Sequence, residues 1–188
     1  MINKFRSFFN TFHPVVITLF LGTMMSRMAT SMSLPFMAIY LSINTDMNPL
    51  LIGITVGVGP LTSTLVGFIG GSISDRIGRK IVMLGALFTW SVVFIGFAVV
   101  DQTWMFIVLS MLNGACKSCF EPVSQALMID LTPKDLRYRV FSIRYTAANL
   151  GFAVGPMVGA FLGIAGGTVP FVTTGVFFFL YACTLSIL

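Results

Sequence analysis

Six long apolar runs, separated by short polar or charged connections, take up nearly the whole chain; they lie at about residues 14–41, 50–73, 81–100, 104–128, 140–163 and 169–188. Each is close to the ~20 residues a helix needs to cross a hydrocarbon layer about 30 Å thick. The ten-residue alternating segments of a membrane barrel are missing from the pattern. The runs therefore predict an all-α membrane protein with six transmembrane helices. The apolar stretch behind Lys4 and Arg6 is too long for a signal peptide and no small-residue cleavage site follows it, so it reads as a retained first span.

Composition narrows the class further. The 188 residues are 56% hydrophobic and only 9% charged, against about 25% charged in soluble domains. A soluble fold of this size cannot hide that much apolar surface, which excludes an ordinary soluble enzyme, a disordered chain and a DNA-binding module. The +5 net charge is a matter of placement. Lys4 and Arg6 precede span 1; Arg76, Arg79 and Lys80 lie between spans 2 and 3; Lys134, Arg137 and Arg139 lie between spans 4 and 5. The alternate connections hold Asp46 and Asp101 and no base. By the positive-inside rule both termini are expected in the cytoplasm of a multi-pass cell-membrane protein, with membrane lipids and no nucleic acid as partners.

Catalytic and metal chemistry find no footing. Cys116-x-x-Cys119 has redox or zinc spacing, but it sits mid-span without further ligands, and Cys183 also lies in an apolar run. His13 is the single histidine, and neither a Walker loop nor a G-x-S-x-G elbow occurs. The expectation is a protein that is not an enzyme and uses no cofactor or metal.

Spans 2 and 5 resemble each other. A shift of 96 residues sets Gly59-Pro60 on Gly155-Pro156, Gly67 on Gly163 and Gly70-Gly71 on Gly166-Gly167. The two spans run in opposite directions, so the repeat is inverted, an architecture of secondary transporters.

The connection after span 2 reads Gly71-Ser-Ile-Ser-Asp75-Arg76-Ile-Gly78-Arg79-Lys80. Gly71 permits close helix approach and Gly78 suits a tight turn. Asp75 is an acid that topology does not require. It can bond helix-end amides or pair with an arginine, as a latch would. This string resembles the loop signature of the major facilitator superfamily, G-x-L-a-D-r-x-G-r-K. Span 5, with Gly151, Gly155, Pro156 and Gly159, resembles the G-x-x-x-G-P-x-x-G-G-x-L signature of drug:proton antiporters in that superfamily, with Ala160 in place of one glycine. The glycines recur every four residues and line one helix face, where they serve packing in any case; Pro156 can kink the helix. A third signature, l-x-x-x-R-x-x-q-G-x-g on span 4, departs from the family: with Gly114 aligned, Ser110 stands at the arginine and Asn113 at the glutamine.

Charges inside spans complete the candidates. Arg27 lies mid-span 1, Lys117 mid-span 4, and Glu121 one turn beyond Lys117. Such residues cost ~2.5–3.5 kcal/mol at the bilayer centre and so face a bundle interior or a wet cavity. Lys117 and Glu121 are spaced to pair on one helix, and Arg27 is a second partner for Glu121. A structural pair locking spans 1 and 4 is the alternative to a substrate or proton pathway. Arg144, a turn into span 5, either snorkels to the surface or pairs with Asp130. Four methionines of span 1 (Met24, Met25, Met28 and Met32) fit core packing better than an adaptable binding wall.

The resemblance implies two inverted three-helix repeats equivalent to the N-terminal half of a major facilitator transporter. It implies proton-coupled export of small amphipathic compounds or drugs by alternating access. Metabolite uptake by the same fold, or a six-helix membrane scaffold without transport, are the rival functions. The implied partners are a small-molecule substrate, protons, and a missing C-terminal half or a second six-helix chain.

Overall fold

The computed structural model describes residues 12–164 and 167–188, without the side chains of 68–73, 163 and 164. Lys4, Arg6 and Gly166 lie outside the described residues, and so do the surroundings of Gly71. Six long helices follow in order: α1 Pro14–Asn44, α2 Pro49–Ile77, α3 Arg79–Val99, α4 Thr103–Asp130, α5 Arg137–Ile164 and α6 Val169–Ile187. No strand occurs among the described residues.

Local chemistry explains the starts. Proline opens α1 and α2, where its missing N–H is no loss. His13 accepts a bond from the Val15 amide at 3.3 Å and Asn48 one from the Leu51 amide at 2.8 Å, filling amides that the first turn leaves open. Gly78 alone separates α2 from α3; its φ of +98° is a conformation glycine takes without strain. The span-2 signature is therefore a helix end rather than a loop. Gly71, Asp75 and Arg76 belong to α2, Arg79 and Lys80 to α3, and the turn is one residue long. Hydrogen bonding favours this ending, because the Gly78 amide still closes onto the Ser74 carbonyl.

The packing has the symmetry of an inverted repeat. α1 lies along α5 and α2 along α4; α3 packs on α6 and α4, and α6 in turn on α1. Exchanging α1–α3 for α4–α6 reproduces this set of neighbours. α1, α2, α4 and α5 each carry one interior proline (Pro35, Pro60, Pro122 and Pro156), while α3 and α6 have none. Behind these four, α3 and α6 form an aromatic back layer. Trp90 stacks on Phe178 with centroids 4.3 Å apart, and Phe94, Phe97 and Phe171 are fully buried around them.

Five of the six helices are long and apolar enough to cross a membrane. The sixth, α4, has the length but is diluted by Asn113, Lys117 and Glu121 near its middle. α2 and α5 are the least buried and present Leu61, Leu65, Phe152, Met157 and Phe161 outward.

Candidate substrate and proton site

A cavity of about 310 Å³ opens between α1, α2, α4 and α5. α1 lines it with Ser26, Arg27, Thr30, Ser31, Leu34 and Pro35; α4 supplies Asn113, Lys117 and Glu121. Both sets recur every three to four residues, the spacing that stacks side chains on one helical face. Val56, Trp90 and Phe152 complete the wall from α2, α3 and α5. An interior proline leaves the carbonyl four residues earlier without its helical donor. Those residues are Ser31, Val56, Ser118 and Phe152, and three of the four line this cavity.

Glu121 faces α1 and forms an ion pair with Arg27, Oε1 to Nη2 at 2.8 Å, with both side chains half-buried. Of its two candidate partners, the fold selects the one on another helix. Lys117 lines the same cavity but forms no ion pair or hydrogen bond among the described residues. Asn113 is buried and accepts a hydrogen bond from the Trp90 indole at 2.6 Å, which fixes one end of the polar stripe.

Arg144 does not meet Asp130. It lies within electrostatic reach of Glu121, Arg27 and Tyr181, and its Nε is buried without a hydrogen bond. The Tyr181 hydroxyl is likewise buried and unbonded. The sequence does not mark Tyr181 out, because one phenol in an apolar run carries no periodic signal; it lies off the cavity wall. Its ring covers Gly22 of α1 and meets Phe120 edge-on at 5.8 Å.

The span-5 glycines sit against α1. A β-carbon on Gly151 would strike the Met24 carbonyl, one on Gly155 the Ser31 hydroxyl, and one on Gly159 the Met32 carbonyl. Met24, Met28 and Met32 thus bring their backbone to this seam. Pro156 points away from it and is exposed. Gly114 of α4 repeats the arrangement against the Gly59 carbonyl of α2.

At the Gly78 end, Arg79 is the hub. Its guanidinium lies 3.1 Å from Asp130 and 3.9 Å from Asp75, so one side chain joins the ends of α2, α3 and α4. Asp75 is largely exposed and the weaker of the two partners. Lys80 donates to the Ser186 carbonyl at 3.2 Å and ties in α6, whereas Arg76 is exposed.

The family model of the Major Facilitator Superfamily matches residues 19–188. The uncharacterized MFS-type transporter YqjV of Bacillus subtilis (strain 168) is 42% identical over 175 residues, 93% of this chain and 43% of that relative. A Na(+), Li(+), K(+)/H(+) antiporter of Planococcus maritimus is 32% identical over 137 residues, 70% of this chain and 32% of its own length. Among solved structures, a peptide transporter POT in complex with sulfate superposes with a TM-score of 0.83 at 20% identity, over 92% of this chain and 37% of that one. The chain thus spans less than half the length of each.

Proposed function

The chain belongs to the major facilitator superfamily, and from that membership we propose that it is half of a secondary active transporter that exports small amphipathic compounds in exchange for protons. The family consists of multi-pass membrane transporters, so the role is not enzymatic. The observation that carries the proton reading is the Arg27–Glu121 pair in the wall of the cavity. A carboxylate held by a cation in a cavity wall can exchange that contact for a proton. The two arms of the pair stand on different helices, α1 and α4, so breaking it removes a tie between them. The glycine seam on α5 and the proton exchange named for the Planococcus maritimus relative support export by antiport.

The same reading sets both termini and the Gly78 turn on the cytoplasmic side. The exposed apolar faces of α2 and α5 then meet a second six-helix half, or a second copy, across the cavity, and alternating access is the rocking of the two halves.

The test is Glu121→Gln in the full-length transporter, with dye-driven proton flux followed in liposomes. Downhill movement of an amphipathic dye is expected to persist while proton movement is lost, because the amide keeps the shape of the acid. Proton-to-dye stoichiometry unchanged from wild type would refute the assignment. A merely structural pair would show as lower abundance that Arg27→Met partly restores, since the stranded cation is then removed.

A further inference from the structure

We propose that the cavity between α1, α2, α4 and α5 takes a singly charged organic acid, its carboxylate held by Lys117 and Asn113 and its apolar body lying against Leu34, Val56 and Phe152. The inference rests on the reading of this cavity as the substrate site and adds the charge of the amphipathic compound that enters it.

Three charged side chains line the cavity: Arg27, Lys117 and Glu121. Arg27 and Glu121 answer each other at 2.8 Å. The Lys117 ammonium is left as one positive charge with no counter-charge among the described residues. α2, α3 and α5 bring only Val56, Trp90 and Phe152 to the wall, none of them charged. Lys117 is half-buried, and an uncompensated cation at membrane depth is unfavourable. A ligand with one negative charge makes this wall neutral. A cationic ligand would add to the excess, and a dianion would reverse its sign.

The same face of α4 supplies a second donor. Asn113 stands four residues before Lys117, so the two side chains lie one above the other. The Trp90 indole can donate but not accept, so the atom it meets at 2.6 Å is the Asn113 amide oxygen. The amide nitrogen is thereby turned away from the indole, and its two N–H groups bond nothing among the described residues. An ammonium and an amide N–H one turn apart match the two oxygens of a carboxylate.

The α1 side of the wall does not compete for the anion. Ser26 donates to the Thr23 carbonyl at 3.1 Å, Thr30 to that of Ser26 at 2.8 Å and Ser31 to that of Met28 at 3.2 Å. With their hydrogens engaged, these hydroxyls offer lone pairs, which a carboxylate avoids. The anion is directed to α4, and the apolar part of the wall is left for the body of the molecule.

The test is equilibrium dialysis of three probes of one shape against the full-length transporter in nanodiscs at neutral pH, with empty nanodiscs subtracted. The probes are naphthylacetate, the uncharged naphthylacetamide and the cation naphthylmethylammonium. Wild type is expected to bind the acid about tenfold more tightly than the amide, the ratio a charge-assisted hydrogen bond sustains, and the cation most weakly. Lys117→Gln should bring the acid down to the affinity of the amide, and Lys117→Arg should keep the preference. Asn113→Asp retains an acceptor for the indole but gives Lys117 a carboxylate of its own, so it too should abolish the preference. It carries the comparison should Lys117→Gln not fold. Equal affinity for acid and amide, both lowered by Phe152→Ala, would keep the cavity as the substrate site and remove the anion seat alone. Equal losses of acid and amide in Lys117→Gln would also remove the seat and leave Lys117 a structural charge. Tightest binding of the cation would overturn the proposal and move recognition to Glu121. No saturable binding of any of the three removes the substrate site and the anion seat together.

Discussion

Gly155 shows how much one hydrogen atom in place of a side chain decides. Its α-carbon lies so close to α1 that a β-carbon would collide with the Ser31 hydroxyl and the Met28 carbonyl. Backbone cannot retreat as a flexible side chain can, so the helices would have to separate. Overpacking of this kind costs about 1–3 kcal/mol. Gly155→Val is thus expected to lower the unfolding temperature of the detergent-solubilised transporter by several degrees. Gly53→Ala, at a helical position with no neighbour within 4 Å, should not lower it, because alanine favours a helix over glycine by about 1 kcal/mol. Equal thermal shifts for the two variants would mean that the seam contributes nothing to packing. The same residue scale explains why Glu121 and Lys117 differ: one finds a guanidinium at 2.8 Å, the other only the cavity.

At the scale of elements, the junction of α2, α3 and α4 depends on Arg79. A guanidinium that serves two carboxylates holds the nearer one more firmly, because the interaction weakens with distance and exposure. Asp130 is at 3.1 Å and Asp75 at 3.9 Å. In the full-length transporter, Asp130→Asn should impair dye export more than Asp75→Asn, with membrane insertion unaffected in both. Greater loss in Asp75→Asn would mark that acid as the latch and Asp130 as accessory. The family signature singles out Asp75, whereas the stronger contact comes from α4, whose last residue lies beyond that motif.

For the whole molecule, the governing feature is an exposed apolar surface. α2 and α5 expose large apolar side chains on either flank of the cavity, including Leu65 and Phe161 at 71% and 77% exposure. One wall cannot alternate access to both sides of a membrane. The 188-residue chain alone, reconstituted as a monomer, is expected to show no saturable proton-dependent dye transport. Such transport by a monomer would refute the half-transporter reading, while transport by a self-associated pair would show a second copy taking the place of the other half.

Much of this architecture was legible in the chain before any coordinates. In lipid, a segment must satisfy its backbone internally, so an apolar run of about 20 residues has to be a helix, and six runs yield six helices. Glycine spacing carried the repeat, because only small residues let helix backbones touch. Mid-span charge marked Arg27, Lys117 and Glu121, since such charge is costly unless it faces an interior. The choice of partners was not legible. The sequence left Glu121 free to pair with Lys117 or Arg27, and Arg144 with Asp130; the fold pairs Glu121 with Arg27 and Asp130 with Arg79, and turns Arg144 inward toward Tyr181. The reason is geometric. A helix fixes which of its own residues share a face, but which face meets which neighbour is set by close approaches at Gly22, Gly59, Gly114 and Gly151, formed between residues far apart in the chain.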